Sequence, residues 1–303
     1  MSGAVAPISP AKFAKAVGEM VVGTLRPRKP DERLIRSIID AGFPSGSRTV
    51  RVRTLPQTPR RVPALGVIEG ATKHPRIEIA VTSFVVEHPE ATFVIDPGLC
   101  ADADQRAISE LSRVLRPMVS VPKEATPTAI ALAETKVDFA FATHAHWDHV
   151  CGLLDMGDLP LTIHAPERDW MMDGPVAPSG GVRASLDREL RTFDLDGPPI
   201  STFTASHDLF GDGSVVIVDL AGHTPGQVGV LLHTNEGRVL IGGDAAWHYD
   251  QVETLRQKPG IPGCLVDENR GAAFKTLHRL HLARHQLRVV PVHDHTAATH
   301  LSR

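Results

Sequence analysis

Four potential metal ligands crowd one short loop: His144, His146, Asp148 and His149, in Thr143-His144-Ala145-His146-Trp147-Asp148-His149, directly after the apolar run 139–142. A strand that reads as buried holds the start of such a loop in place, so ligands from one backbone turn can converge on one spot. Imidazole nitrogen and carboxylate oxygen are what zinc, iron and manganese accept. The run therefore predicts a metal site at a strand end. Three more residues of the same chemistry stand at the ends of three more predicted strands: His223 in Gly222-His223-Thr224-Pro225-Gly226, Asp244 in Gly242-Gly243-Asp244, and His293 after Val289-Val290-Pro291-Val292.

The surrounding pattern supplies those strands. A hairpin is predicted from 77–86 and 92–95, with further strands over 137–142, 161–164, 214–220, 227–233, 238–241 and 287–292. Helices are expected over 103–115, where Ile108, Leu111, Val114 and Leu115 share a face, and over 128–135 and 268–284. Strands and helices mixed in this way imply a layered α/β domain. The first seventy residues differ. Ser9-Pro10 starts a helix carrying Phe13, Val17, Met20, Val21 and Leu25 at helical spacing, and Pro30-Asp31-Glu32 opens a shorter one that Gly42 and Pro44 end. Residues 1–70 are thus read as a helical extension packed on a catalytic domain of 71–303, with a lid or a homodimer contact as its other use. Thr58-Pro59-Arg60-Arg61 reads as a solvated loop, and His278, His281 and His285 as a solvated helix face. The glycine- and proline-rich stretch 173–182, the amino-terminal helices and Trp147 are expected to wall an apolar substrate site.

Composition excludes several functions. Thirty-two Lys and Arg against thirty-five Asp and Glu give a net charge of −3, so no global field draws in a nucleic acid. Cys100, Cys151 and Cys264 are odd in number and lack C-x-x-C spacing, which argues against a disulfide framework or a thiolate zinc cage and fits a reducing cytoplasm. No secretory apolar segment and no run of about 18 apolar residues occurs, so the expectation is a soluble protein without a membrane partner.

Asp96 in Ile95-Asp96-Pro97-Gly98, the H-x-H-x-D-H run, His223, Asp244 and His293 occur in the order found in the metallo-β-lactamase superfamily, which the sequence resembles over about residues 76–295. The resemblance implies an αββα sandwich of two mixed β-sheets flanked by helices, with two divalent metal ions at one edge, zinc first and iron or manganese as alternatives. Under it His144, His146 and His223 hold one metal, Asp148, His149 and His293 the other, Asp244 bridges both, and Asp96 orients a ligand histidine. Two cations sharing a water acidify it strongly. The implied activity is the opening of a small-molecule lactone or other ester by a metal-bridging hydroxide, with Asp148 shuttling a proton to the leaving group.

Within the superfamily, secreted β-lactamases typically lack the bridging carboxylate and carry export signals. Flavodiiron oxidoreductases want a glutamate where His146 stands, and ribonuclease relatives need a basic surface. The segments Asp208-Leu209-Phe210-Gly211-Asp212-Gly213-Ser214 and Gly243-Asp244-Ala245-Ala246 resemble most the quorum-quenching acyl-homoserine lactonases. A glyoxalase II-like thioesterase, a mononuclear-iron persulfide dioxygenase and a metal-stabilised scaffold without activity are the alternatives. Those lactonases commonly place a tyrosine three residues after the bridging aspartate, where this chain has Trp247; its one tyrosine is Tyr249. Trp147, Trp247 and Tyr249 are accordingly the candidates for substrate contact.

Overall fold

Strand β4 (Phe84–His88) turns Phe84 and Val86 to one face and Val85 to the other, and all three are buried. A strand covered on both faces lies between two layers. On one face Phe84 and Val86 join Phe93 and Ile95 of β5 (Ala91–Ile95) and Phe141 of β6 (Phe139–Phe141). They meet Ile217 of β10 (Val215–Asp219), Val230 of β11 (Val228–Thr234) and Ile241 of β12 (Gly237–Ile241), which makes the core between two sheets. The computed structural model describes residues 8–44, 46, 48–174 and 176–301.

The first sheet runs β1 (Arg51–Thr54), β4, β5, β6, β7 (Leu161–His164), β8 (Leu190–Phe193), antiparallel as far as β5 and parallel from there on. The second runs β13 (Arg288–Val290), β12, β11, β10, β9 (Ser206–Asp208), with only β12 and β13 parallel. Both are therefore mixed. Before the sheets and along the first of them lie α1 (Pro10–Leu25), α2 (Glu32–Ser37), α3 (Ala103–Arg106), α4 (Thr128–Ala131) and α5 (Trp147–Val150). Then come α6 (Ala165–Asp173), α7 (Gly180–Ser185), α8 (Tyr249–Thr254), α9 (Gly260–Val266), α10 (Arg270–Ala283) and α11 (His295–Thr299). Phe274, Leu277 and Leu280 of α10 cover Val218, Leu231 and Leu240 on the outer face of the second sheet. Ile108, Leu153 and Val182 belong to the apolar layer on the outer face of the first sheet, with Val85, Val94 and Ile163. This is the αββα sandwich the sequence implied.

Five local expectations are corrected. The apolar run 77–86 is two strands: β3 (Arg76–Ile79) pairs with β2 (Arg60–Pro63) in a separate ribbon, and β4 enters the large sheet. The chain leaves one for the other where Ala80 N donates to His293 O and Ser83 O accepts from Leu55 N. Arg60 and Arg61 consequently form a strand and not a loop. The helix expected over 103–115 is α-helical only to Arg106: the backbone unwinds at Ala107 (φ −129°), a single 3-10 turn over Ile108–Glu110 follows, and Ile108, Leu111 and Leu115 all turn inward. The stretch 128–135 stops as a helix at Ala131, since Leu132 completes its buried face and Ala133 and Glu134 are exposed. His278 is not solvated: it is fully buried, donates from Nδ1 to Phe274 O, and accepts from Asp31 N at 2.9 Å, which ties α10 to the start of α2. His281 donates to Val252 O, leaving His285 as the exposed member of the three.

Residues before 71 supply β1 and β2 as well as α1 and α2, so this segment completes sheets in addition to packing on them. Helix α1 lies directly on α9. A Cβ on Gly260 would stand 2.2 Å from Met20 N and 2.4 Å from Ala16 O, an approach only glycine permits. The three cysteines are free and buried, and among the described residues no helix is long and apolar enough to cross a membrane. Gly260→Ala should push α1 off α9 and lower the unfolding free energy by about 1–3 kcal/mol, read as a fall in the denaturant midpoint. An unchanged midpoint would mean that the contact does not hold α1.

Candidate metal centre

The seven candidate ligands leave the sheets at one edge of the sandwich. The loop after β6 carries His144 and His146 into α5, whose first turns present Asp148 and His149; His223 follows β10, Asp244 follows β12 and His293 follows β13. Both sheets thus contribute. Ligand atoms of His144, His146, His223 and Asp244 lie within 4.8 Å of one another, as do those of Asp148, His149 and His293. Asp244 joins the two groups. Its Oδ2 is 3.2 Å from His223 Nε2 and 3.9 Å from His144 Nε2, while its Oδ1 is 3.1 Å from His293 Nε2 and 3.3 Å from His149 Nε2.

The opposite nitrogens are fastened to the protein. His149 Nδ1 donates to Asp96 Oδ2 at 2.8 Å, His223 Nδ1 to Asp267 Oδ1 at 2.8 Å, and His293 Nδ1 to Ala80 O at 2.9 Å. Each of these rings is held by one edge with Nε2 turned to the centre. Asp96 also accepts from Thr143 N and Thr143 Oγ1, both at 2.7 Å, and its backbone sits in the left-handed region at φ 49°. A non-glycine residue there is strained, and its three hydrogen bonds are what hold it.

The centre fits a cation. Among the described residues His146 Nε2, His149 Nε2, His223 Nε2 and Asp244 Oδ1 are buried without a hydrogen-bond partner, and each such atom costs about 1–3 kcal/mol if nothing satisfies it. Burial, then the neighbouring imidazoles, push His144 and His146 well below the usual imidazole range. Burial acts likewise on His149, but Asp244 and Asp96 outweigh it and hold that ring well above the range. Asp244 raises His293 in the same way. The cluster therefore pulls positive charge toward Asp244 while His144 and His146 resist protons, which is the donor set a divalent ion needs.

A cavity of about 330 Å³ opens over this cluster. Trp147, Leu111, Leu115, Val176, Ile261 and Val266 make much of its wall, and His146, Asp148, His223, Asp244 and His293 face it. Trp247 lines it too, but its Nε1 donates to Asp244 Oδ2 at 2.6 Å. Tyr249 lies elsewhere, half-buried along a separate depression with Arg61 and Asp294. The expected wall is corrected in part. Val176 comes from the stretch 173–182, where residue 175 lies outside the described residues and α7 replaces the second half of the predicted loop; α1 and α2 do not reach the cavity. Instead α1 backs α9, whose Ile261 and Val266 do. His164 donates to Gly226 O and stacks on Phe193, and Cys151 is buried with its thiol on Gly98 O.

Sequence reasoning missed three buried charges around the ligands: Glu167, Lys258 and Asp267. Asp267 and Lys258 sit in loops with no local pattern, and only the fold brings them to His223. Glu167 carried a faint signal, a carboxylate in the first turn of a helix directly after a buried strand. Its Oε1 accepts from Ala145 N at 2.8 Å, and its Oε2 from Thr224 Oγ1 at 2.7 Å and Gly226 N at 3.1 Å. It thereby ties the His144–His146 loop to the His223 loop. Burial pushes its carboxyl up to about 7 against the pull of those three hydrogen bonds. Glu167→Gln replaces one acceptor by a donor that faces donors. It should lower stability by about 1–3 kcal/mol and reduce bound metal; an unchanged midpoint and metal content would contradict the bridging role.

The metallo-beta-lactamase superfamily model matches residues 76–299. The chain is 27% identical over 233 residues to N-acyl homoserine lactonase AttM of Rhizobium radiobacter, covering 72% of this chain and 82% of that one. It is 25% identical over 208 residues to the AttM lactonase of Azorhizobium caulinodans, covering 64% and 74%. A solved N-acyl homoserine lactone hydrolase, with the product N-hexanoyl-L-homoserine bound at its catalytic metal centre, superposes with a TM-score of 0.62 at 16% identity over 82% of this chain and 95% of that one. A likeness at that identity concerns the fold. The family match spans most of the chain and contains every candidate ligand, so the protein belongs to the metallo-beta-lactamase superfamily.

Proposed function

We propose that this chain is a two-metal hydrolase that opens a lactone ring, or another carboxylic ester, bearing an apolar substituent. The observation that carries the reading is the position of two ligand groups at the floor of an apolar cavity. His144, His146 and His223 would hold one divalent ion, and Asp148, His149 and His293 the other, with one oxygen of Asp244 turned to each. The nitrogen and oxygen donors suit zinc, and iron or manganese take the same set. When bound, two such ions supply Lewis-acid polarisation of a substrate oxygen and a water acidified toward neutral pH.

The chain's own residues do the rest. The apolar wall excludes water and takes up the substituent, so affinity should grow with its length. Asp148 alone of the seven is only half-buried, and its Oδ2 lies 3.6 Å from His293 Nε2. Its carboxylate faces the cavity, where it can take a proton and return it to the leaving alkoxide. Trp247 commits its N–H to Asp244, so it steadies that carboxylate and is not free to meet the substrate carbonyl. The relatives named as N-acyl homoserine lactonases support an acylated lactone as the substrate class. A glutathione thioester brings two carboxylates, and among the described residues Arg60 is the only cationic side chain lining the cavity.

The metal-loaded protein should hydrolyse N-acyl homoserine lactones in a panel that also holds glutathione thioesters, β-lactams and phosphodiesters. kcat/KM should rise by up to about fourfold per added methylene until the cavity is full. Asp148→Asn should lower kcat by about 10²- to 10⁴-fold with the fold retained. Turnover of glutathione thioesters alone, or oxygen uptake with a persulfide, would contradict the reading.

A further inference from the structure

Behind His223 lies a buried charge pair to which the hydrolytic reading gives no task. Lys258, on the loop between α8 and α9, is 3% exposed. Its Nζ donates to Asp267 Oδ1 at 2.8 Å and to the Asp244 carbonyl at 2.6 Å, and it stands 5.2 Å from the centre of the Trp247 ring. His223 Nδ1 donates to the same Asp267 oxygen at 2.8 Å and lies 3.2 Å from the ammonium. Lysine and imidazole therefore share one acceptor. Asp267 Oδ2 has Arg270 Nη1 at 3.7 Å.

The other group of ligands is backed differently. Asp96, behind His149, takes its remaining hydrogen bonds from the neutral Thr143, and His293 leans on a backbone carbonyl. The two halves of the centre thus differ in what backs their histidines: a buried ammonium stands behind His223 and none stands behind His149 or His293. A lysine out of water is costly unless paired, and leaving Asp267 to His223 alone would have avoided that cost.

We infer that Lys258 is a positioning residue that loosens the grip of the His144–His146–His223 group on its metal and so sets the two halves of the centre apart in affinity. By competing for Asp267 it weakens the hydrogen bond that makes His223 a stronger donor, and its charge repels a cation on the far side of the imidazole. The inference rests on the metal-holding reading of the seven residues and not on the lactone.

Zinc titration of the stripped protein against a chromophoric chelator tests it, with thermal midpoints taken in both states. Lys258→Met should bind one of its zinc ions about tenfold or more tightly than wild type. Zinc should also raise its midpoint further, because the stripped variant leaves Asp267 with only the His223 hydrogen bond and Arg270 at 3.7 Å in place of the Lys258 ammonium, a deficit of positive charge that a cation relieves. A lysine with a merely structural role predicts weaker binding and a lower midpoint in both states, and that result would overturn the inference. If Lys258→Met does not fold when stripped, the double variant K258M/D267N, which loses both charges, decides. Affinity within about threefold of wild type supports the account, and a tenfold weakening overturns it. A wild-type chain that takes up no zinc would overturn this inference together with the ligand reading; tight wild-type binding left unchanged by Lys258→Met would overturn this inference alone.

Discussion

Asp244 is buried at the centre of the molecule's polar edge, with the Nε2 atoms of four histidines within 3.9 Å of its two oxygens. A carboxylate in that position is tenable only with positive charge beside it. The imidazoles cannot all supply it, because burial keeps His144 and His146 from taking protons. The rest of the edge follows from this constraint. Asp96, Asp267 and the carbonyl of Ala80 each hold one histidine ring so that its free nitrogen turns inward. Glu167 locks the two loops that bring histidines from different sheets, and the backbone strain at Asp96 is held by hydrogen bonds that serve the same geometry.

The sandwich makes such an edge possible. Ligands arrive from β6 in one sheet and from β10, β12 and β13 in the other, so the packing between the sheets sets the distance between the halves of the centre. Phe84, Phe93 and Phe141 against Ile217, Val230 and Ile241 are that packing, and they are fully buried. Above the centre the chain gives up regular structure. The unwinding at Ala107 and the short turns after it bring Leu111 and Leu115 into the cavity wall, and α9 completes that wall with α1 pressed behind it. The amino-terminal helix therefore lies behind α9 and does not itself line the cavity.

How much of this was legible in the sequence follows from the range of the interactions. The metal-type residues were visible because a strand end and a loop place His144 to His149 by local geometry alone, and His223, Asp244 and His293 each stand just past a strand. Their mutual distances were not visible, since they depend on two sheets packing. The run 77–86 looked like one strand because its alternation is continuous, and only the hydrogen bonds at Ala80 and Ser83 divide it. His278 read as solvated because its cover, Asp31 of the α2 cap, is far away in sequence. Lys258 and Asp267 left no trace for the same reason. Trp247 stands where the resemblance leads one to expect a tyrosine, yet its indole N–H is spent on Asp244, a contact set by the packing of the fold and not by local sequence.

The central claim is that these seven side chains hold two cations. Metal analysis of the purified chain, expressed with zinc, iron and manganese available, tests it most directly, with each ion located by anomalous scattering in crystals. The account predicts about two divalent ions per chain, one at each ligand group and both within reach of Asp244. Fewer than about one ion per chain, or ions bound away from Asp244, would contradict it.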